Sequence, residues 1–171
     1  YLEKRGISFK MKTAVQSLDD IDADVILMAT GRKPNTEGLN VEAAGIALNP
    51  NGTIPVDDHF QVATQASPRI YAIGDVNGRQ MLAHAAEMQG IHVVNQIIGR
   101  EDHIRFDVMP AAIFTTPEAA CVGLSEDQLK ASGVAYECRK AFHRANGKAL
   151  TMHETEGMLK LFSEPGAGRI L

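Results

Sequence analysis

The stretch Tyr71-Ala72-Ile73-Gly74-Asp75, followed by a helix that starts near Met81, decides the predicted fold of this chain. An apolar run that stops at Gly-Asp is typical of a buried strand, predicted here over residues 68–73. Gly74 lets a ligand approach the backbone closely, and the Asp75 carboxylate can accept hydrogen bonds from hydroxyl groups. The helix start adds unpaired N–H groups and a partial positive charge, which favour an anion or an electron-rich carbonyl. On physical grounds alone, a ligand site and an ordinary strand, turn and capped helix both stay open.

A second apolar run, residues 24–29, ends at Thr30-Gly31 and predicts a parallel strand buried on both faces. The carboxyl ends of such strands are where doubly wound α/β folds bind ligands. The helix predicted over 81–98 ends at Gly99, and its small residues allow close packing against a sheet or a ligand. Between these elements the sequence predicts a short helix capped by Asn40, a turn and a short edge strand, at residues 40–45, 49–52 and 53–56.

From Pro110 onward the pattern changes to several strands with one helix, which indicates an α+β module with an antiparallel sheet. Ser125 and Gln128 form a capping-box pattern, and the helix that they begin is predicted to end at Gly133. The strands are predicted over residues 111–114, 119–123, 134–142 and 158–162.

Composition excludes two classes of partner. The net charge of −4 comes with no basic stripe of the kind that nucleic acid requires. The longest apolar run, Val25 to Ala29, is far too short to span a membrane, and no signal peptide is visible. We therefore expect no nucleic acid, no membrane and a cytoplasmic location.

The cysteines and histidines predict neither a redox pair nor a metal site. Cys121 and Cys138 do not form CxxC or CxxxxC, and their apolar or alternating surroundings predict buried small hydrophobic side chains. His84 and His92 are eight positions apart, but no carboxylate completes a ligand set at HExxH spacing. We expect no metal and no catalytic residue within this chain.

Four motifs resemble those of pyridine nucleotide-disulfide oxidoreductases, and the order in which they occur spans most of the chain. They are Ala29-Thr30-Gly31-Arg32-Lys33-Pro34-Asn35, Ile70-Tyr71-Ala72-Ile73-Gly74-Asp75, Met81-Leu82-Ala83-His84 and Phe114-Thr115-Thr116-Pro117-Glu118. Within that family, residues 81–84 and 145–149 most resemble the dihydrolipoamide dehydrogenase branch. One such motif is weak, whereas four in register are specific.

The resemblance implies an α/β FAD/NAD-binding domain fragment followed by an α+β antiparallel-sheet dimerisation domain, incomplete at both ends. Residues 1–40 are then the C-terminal part of the NAD-binding domain and residues 41–107 the C-terminal part of the FAD-binding domain. Residues 108–171 are the N-terminal part of the dimerisation domain. From the start at Tyr1 and the apolar end at Leu171 we expect further segments on both sides.

The resemblance also assigns the site residues. Gly31 is expected to lie against a nicotinamide nucleotide, and Asp75 to bind the ribityl chain of FAD. The backbone of residues 81–84 is expected to face the flavin pyrimidine edge, with His84 making a backbone contact and transferring no proton. For Arg32 and Lys33, a phosphate contact and a solvated turn both stay open. The cofactor-binding set is Gly31, Asp75, Met81, Leu82, Ala83 and His84.

The implied activity is oxidation of dihydrolipoamide by NAD, with electrons passing through an active-site disulfide and a flavin. The expected partners are dihydrolipoamide on a carrier protein of a 2-oxo acid dehydrogenase complex and a second copy in a homodimer. The redox cysteines and catalytic histidine are expected outside this chain, which alone is expected to be inactive. Alternatives within the family are a mercuric or glutathione-type reductase and a soluble transhydrogenase. An alternative of another class is a non-catalytic dimerisation module.

Overall fold

The computed structural model describes residues 1–64 and 69–171. The chain forms two compact units. One comprises Tyr1–Gly31 with Ala135–Ile170, and the other comprises Arg32–Val134 with Leu171. Each unit is described by itself.

The regular elements are three α-helices and four β-strands among the described residues. The helices are α1 (Ala83–Ile97), α2 (Glu126–Ser132) and α3 (Gly147–Thr151). The strands are β1 (Ala111–Ile113), β2 (Ala119–Cys121), β3 (Glu137–Phe142) and β4 (Met158–Ser163). Short 3-10 turns cover Glu3–Arg5, Leu18–Asp20, Val41–Ala44, Gly74–Asn77, Phe106–Val108 and His143–Ala145.

The core of the Arg32–Val134 unit is apolar and is built mainly from turns and single bridges. The antiparallel bridges Val56↔Val62 and Gln61↔Tyr71 tie neighbouring segments together, and the Ala72 N–H donates to the Phe60 carbonyl at 3.0 Å. Burial of apolar side chains supplies the main stabilisation of such a core. Its buried members are Val41, Ile46, Ile54, Val62 and Ala72.

The predictions of a buried parallel strand at residues 24–29 and of an apolar strand at residues 68–73 were wrong. Residues 24–29 have no regular structure, and Val25 and Leu27 are 84% and 88% exposed. Among the described residues none pairs with this segment, and a strand exists only where its backbone groups bond a neighbour. Of the predicted strand at 68–73, Pro68 lies outside the described residues, and the described part makes only the antiparallel bridge at Tyr71. The edge strand at 53–56 is likewise a single bridge.

The prediction of α1 was confirmed with small changes at its limits, whereas the short helix at residues 40–45 was confirmed only in its position and the capping role of Asn40 was wrong. Helix α1 begins at Ala83 and ends before Gly99, which has φ +71°. The buried positions of α1 are Ala85, Gln89 and Val93. Residues 41–44 form a 3-10 turn, which Asn40 precedes without a side-chain cap and Gly45 ends.

The predictions after Pro110 were largely confirmed. Strands β1 and β2 pair antiparallel, with Ala112 opposite Ala120. The Ser125 hydroxyl accepts from the Gln128 N–H while the Gln128 side chain accepts from the Ser125 N–H, which completes the predicted capping box. Helix α2 ends at Gly133 and buries Leu129 completely.

The Tyr1–Gly31 and Ala135–Ile170 unit contains the β3–β4 hairpin, in which Lys140 lies opposite Lys160. Sequence analysis missed α3, although Asn146 caps it by accepting from the N–H groups of Lys148 and Ala149 at 2.9 and 3.1 Å. The sequence signal for this helix is Asn146, a residue type that favours the N-cap, directly before Gly-Lys-Ala-Leu.

The prediction that both cysteines are buried was also wrong. Cys121 in β2 and Cys138 in β3 are exposed free thiols. Each lies in a two-stranded hairpin, and two strands by themselves cannot cover either face of their sheet.

Candidate functional site

The Asp75 carboxylate lies on the 3-10 turn Gly74–Asn77, which connects the core to α1. Gly74 has φ +77°, a backbone conformation that side chains disfavour. The Gly78 N–H donates to the Asp75 carbonyl at 3.1 Å and closes the turn. The Ile54 N–H donates to the Val76 carbonyl at 3.0 Å, which ties the turn to the core.

A buried polar network holds this turn against α1. The Gln89 Oε1 accepts from the Gly74 N–H at 2.8 Å and from the Asn77 Nδ2 at 2.9 Å. Asn77 also donates from Nδ2 to the Ala72 carbonyl at 3.0 Å. Because Asn77 and Gln89 are both buried, these bonds replace water that neither side chain can reach.

The Asp75 side chain itself reaches solvent. It is 40% exposed and forms an ion pair with the Arg32 Nη2 at 3.3 Å, while the Arg32 side chain is 75% exposed. An ion pair this open contributes about 0–1 kcal/mol, so Asp75 stays available to a ligand. The exposed Arg32 side chain agrees with the solvated turn that the sequence left open, and its phosphate contact stays a prediction.

The start of α1 presents backbone N–H groups that no capping side chain occupies. Leu82 is the extended N-cap residue, and its apolar side chain makes no cap bond. The first intrahelical bond runs from the Ala86 N–H to the Leu82 carbonyl at 3.0 Å. The N–H groups of Ala83, His84 and Ala85 therefore have no acceptor one turn back and carry the positive end of the helix dipole.

His84 and Met81 frame this helix start. The His84 Nε2 lies 2.8 Å from the Pro110 carbonyl, to which it donates in the tautomer that carries its proton there. The ring is thus held against the backbone just before β1, whereas the His84 main-chain N–H stays at the helix start. Met81 is partly exposed next to it.

The connector between α1 and β1, residues 98–110, runs back along α1 from its C-terminal to its N-terminal end. The Arg100 N–H donates to the Asn95 carbonyl at 2.8 Å, near the end of the helix. At the other end the Gln80 Nε2 donates to the Phe106 carbonyl at 2.9 Å, and His84 bonds Pro110. The connector is therefore fastened beside the helix start.

Midway, Asp102 receives hydrogen bonds from the His92 Nδ1 at 3.0 Å and from the Asn95 Nδ2 at 3.2 Å. The hydrogen bond from His92 holds the pKa of Asp102 below its usual range. The His92 ring also meets the Phe106 ring edge-on, with centroids 5.5 Å apart. Sequence reasoning missed this pair, since no spacing rule links a helical His to an Asp in the following loop.

Gly31 belongs to the other compact unit. Its φ is +100°, and a Cβ added there meets no atom within 4 Å. The backbone conformation by itself accounts for glycine here. Its predicted contact with a nicotinamide nucleotide stays a prediction.

Metal clusters and membrane-spanning helices are both absent from the described part of the chain. No group of three or more His, Cys, Asp or Glu residues in residues 1–64 and 69–171 is arranged to hold a metal ion. Within the same ranges no helix is both long and apolar enough to cross a membrane.

Comparison with known proteins gives a consistent result. Residues 1–90 match the family model for pyridine nucleotide-disulphide oxidoreductase, and residues 109–171 match the model for the dimerisation domain of the same proteins. The mitochondrial dihydrolipoyl dehydrogenase of Sus scrofa is 40% identical over 99% of this chain and 37% of its own length. The corresponding Mesocricetus auratus enzyme is 44% identical over 88% of this chain and 31% of its own length.

Solved structures agree with this similarity. LpdA from Mycobacterium tuberculosis superposes with a TM-score of 0.74 at 32% identity, covering 85% of this chain and 31% of that protein. The HOCl-induced flavoprotein disulfide reductase RclA from Escherichia coli gives 0.69 at 30% identity, covering 84% and 33%. The chain thus spans about a third of the length of the relatives that it matches. It belongs to the pyridine nucleotide-disulphide oxidoreductase family.

Proposed function

We propose that the whole protein containing this chain is an FAD- and NAD-dependent dihydrolipoyl dehydrogenase. One observation carries the proposal. The turn bearing the exposed Asp75 carboxylate is bonded to the same helix whose first N–H groups have no side-chain cap. The identity of 40% to a dihydrolipoyl dehydrogenase over 99% of the chain supports the substrate assignment.

The donor and acceptor set fits a flavin nucleotide. The partly exposed Asp75 carboxylate is an acceptor that suits the hydroxyl groups of a ribityl chain. The free amides at Ala83 and His84, with the helix dipole, suit an electron-rich carbonyl such as that of the flavin pyrimidine edge. In this proposal Asp75 and residues 81–84 bind and orient FAD, and the apolar Met81 and Leu82 limit water at that edge.

When bound, FAD supplies the two-electron redox chemistry that links a dithiol to a nicotinamide. The residues of this chain bind and orient the cofactor. The backbone amides of residues 83–85 favour negative charge at the flavin carbonyl edge, and the Asp75 carboxylate holds the ribityl chain in place. We assign Gly31 to the nicotinamide nucleotide, because its positive φ and open surroundings leave the backbone approachable.

The domain limits are part of the same proposal. We divide the chain at residues 1–40, 41–107 and 108–171 into NAD-binding, FAD-binding and dimerisation segments. The two family matches, at 1–90 and 109–171, support a boundary close to the connector. The match to a dimerisation domain supports a homodimer.

The remaining partners follow from the assigned activity. We propose that the substrate is dihydrolipoamide on a carrier protein of a 2-oxo acid dehydrogenase complex. The cytoplasmic location stays a prediction, and the curated relatives named above carry the word mitochondrial in their names.

The test uses the full-length gene product. We expect a yellow protein that keeps FAD through gel filtration, runs as a dimer and reduces NAD when dihydrolipoamide is added. Colourless protein without flavin after expression in a flavin-replete host would contradict the proposal and favour a non-catalytic dimerisation module.

A second candidate has one observation in its favour, the similarity to the flavoprotein disulfide reductase RclA. The same preparation discriminates the two. A protein that binds FAD but leaves NAD unreduced by dihydrolipoamide, while oxidising NADPH with oxidised glutathione or mercuric ion, is a reductase of the related type. Hydride exchange between NADPH and NAD without any disulfide substrate would instead identify a transhydrogenase.

A further inference from the structure

We propose that Gln89 is a positioning residue of the flavin site, which fixes the turn bearing Asp75 relative to the start of α1. The inference rests on the proposed function, because it concerns how the same site is held. Gln89 was not among the residues that sequence analysis selected.

The turn that carries Asp75 needs a contact that holds it in place. Gly74–Asn77 is a single 3-10 turn, and the segment before it has only the bridge Gln61↔Tyr71 among the described residues. Gly74 is buried with φ +77°, so its N–H needs an acceptor within the protein. The Ile54 N–H holds the Val76 carbonyl at 3.0 Å, but without Gln89 the N–H at the start of the turn would lose its acceptor, which would let the Asp75 carboxylate move.

Gln89 supplies the acceptor. Its Oε1 receives the Gly74 N–H at 2.8 Å and the Asn77 Nδ2 at 2.9 Å, so one oxygen bonds the first and the last residue of the turn. The residue is 1% exposed, which keeps water from competing for those two donors. A side-chain amide oxygen has two lone pairs, and both are used here.

Helix α1 keeps Gln89 at a fixed distance from the free amides at the start of the helix. Gln89 lies six residues after Ala83, about 9 Å along a rigid α-helix. The turn also packs closely on the helix, since a Cβ added to Gly74 would lie 3.3 Å from the Ala86 Cβ. The same helix thus carries the free amides at its start and the bonds that hold Asp75. Loss of the Gln89 oxygen would loosen one group of the site relative to the other.

The side-chain chemistry defines two informative variants. Gln89→Leu keeps the approximate volume but removes the acceptor, and so leaves the Gly74 N–H buried without a partner. Gln89→Glu keeps an oxygen acceptor for both donors at the same position. Val93→Ala is the matched control, because Val93 is buried on the same face of α1 and makes no side-chain hydrogen bond.

The experiment measures the dissociation constant of FAD for the full-length apoprotein, by quenching of flavin fluorescence, together with the melting temperature of each apoprotein. We expect Gln89→Leu, which removes both bonds to the Gln89 oxygen, to raise the dissociation constant of FAD roughly tenfold. Gln89→Glu should restore binding to near the wild-type value. Val93→Ala should lower the melting temperature and leave the dissociation constant unchanged.

Several results would overturn the inference. One is wild-type FAD affinity in Gln89→Leu, and another is a failure of Gln89→Glu to restore binding. A third is an equal loss of affinity in Val93→Ala, which would mean that general stability governs binding. If Gln89→Leu does not fold, Asn77→Ala removes the second donor to the same oxygen, and unchanged affinity there contradicts the inference. A wild-type apoprotein that does not bind FAD would refute the proposed function itself.

Discussion

The substitution Asp75→Ala in the full-length protein tests the proposed flavin contact directly. The Asp75 carboxylate is 40% exposed and pairs with Arg32 across 3.3 Å. If this carboxylate binds the ribityl hydroxyl groups, removing it costs a hydrogen bond to a charged acceptor. If it serves only as a turn residue, flavin retention should not change.

The expected size of the effect follows from these two interactions. A hydrogen bond to a charged group contributes about 1.5–3 kcal/mol. The open ion pair with Arg32 contributes about 0–1 kcal/mol, and it is the part that flavin binding has to give up. The net loss of binding free energy is therefore about 0.5–3 kcal/mol, or roughly a 2- to 150-fold rise in the dissociation constant of FAD.

The ion pair provides a control with the opposite sign. Arg32→Gln frees Asp75 from its competitor, so we expect FAD to bind as tightly as in the wild type or up to about fivefold more tightly. The melting temperature of both apoproteins should stay close to the wild-type value, because an exposed ion pair stabilises the fold little.

The assay is titration of the apoprotein with FAD, followed by flavin fluorescence, and flavin content after dialysis. Wild-type affinity in Asp75→Ala would refute the assigned role of this carboxylate. Weaker binding in Arg32→Gln, to the same extent as in Asp75→Ala, would indicate that the ion pair and not the free carboxylate supports the site.

Three further predictions concern the rest of the chain. Ser125→Ala removes the capping box of α2, and we expect it to lower the free energy of unfolding, measured by urea titration, by about 1 kcal/mol. The control Ser132→Ala should change this free energy by less than about 0.5 kcal/mol. Equal losses in the two variants would contradict the role of the cap. The lowered pKa of Asp102 means that the folded protein favours the ionised carboxylate more than the unfolded chain does. The carboxylate therefore stabilises the fold above the ordinary aspartate pKa, and this stabilisation is lost as the pH falls below about 4. Asp102→Asn should therefore reduce the acid dependence of the unfolding free energy, and an unchanged pH profile would argue against the His92 contact. Gly78→Ala places a Cβ 2.5 Å from the Thr53 Cγ2 at φ +72°, whereas the control Gly133→Ala, at φ +69°, places a Cβ that meets nothing within 4 Å. We expect Gly78→Ala to lower the free energy of unfolding by about 1–3 kcal/mol more than the control. Similar losses in the two variants would show that the structure relaxes the clash.

Local signals were read correctly where they act within a few residues. The capping box at Ser125 and Gln128 satisfies backbone groups of its own helix, so its geometry does not depend on distant parts of the chain. Gly99 and Gly133 end their helices for the same reason, since a left-handed residue stops the local hydrogen-bond ladder. These predictions needed only neighbouring residues.

The wrong predictions concern burial and pairing. The apolar run at residues 24–29 reads as a buried strand, yet Leu27 is exposed because no described segment pairs with it. Cys121 and Cys138 lie in apolar or alternating stretches but are exposed on two-stranded hairpins. A sequence pattern indicates which side chains tend to be buried, but a side chain is buried only where another part of the fold packs against it.

The sequence by itself determined the family resemblance, the approximate limits of α1 and α2, and the selection of Asp75 with the start of α1. Those features depend on residue types at short, fixed spacings. Only the tertiary structure decided that Gln89 bonds the turn carrying Asp75, that Arg32 pairs with that carboxylate, and that the connector is fastened along α1 through Asp102. Each of these contacts joins residues whose distance in space is unrelated to their separation in sequence, because chain folding alone brings their polar atoms within hydrogen-bonding range.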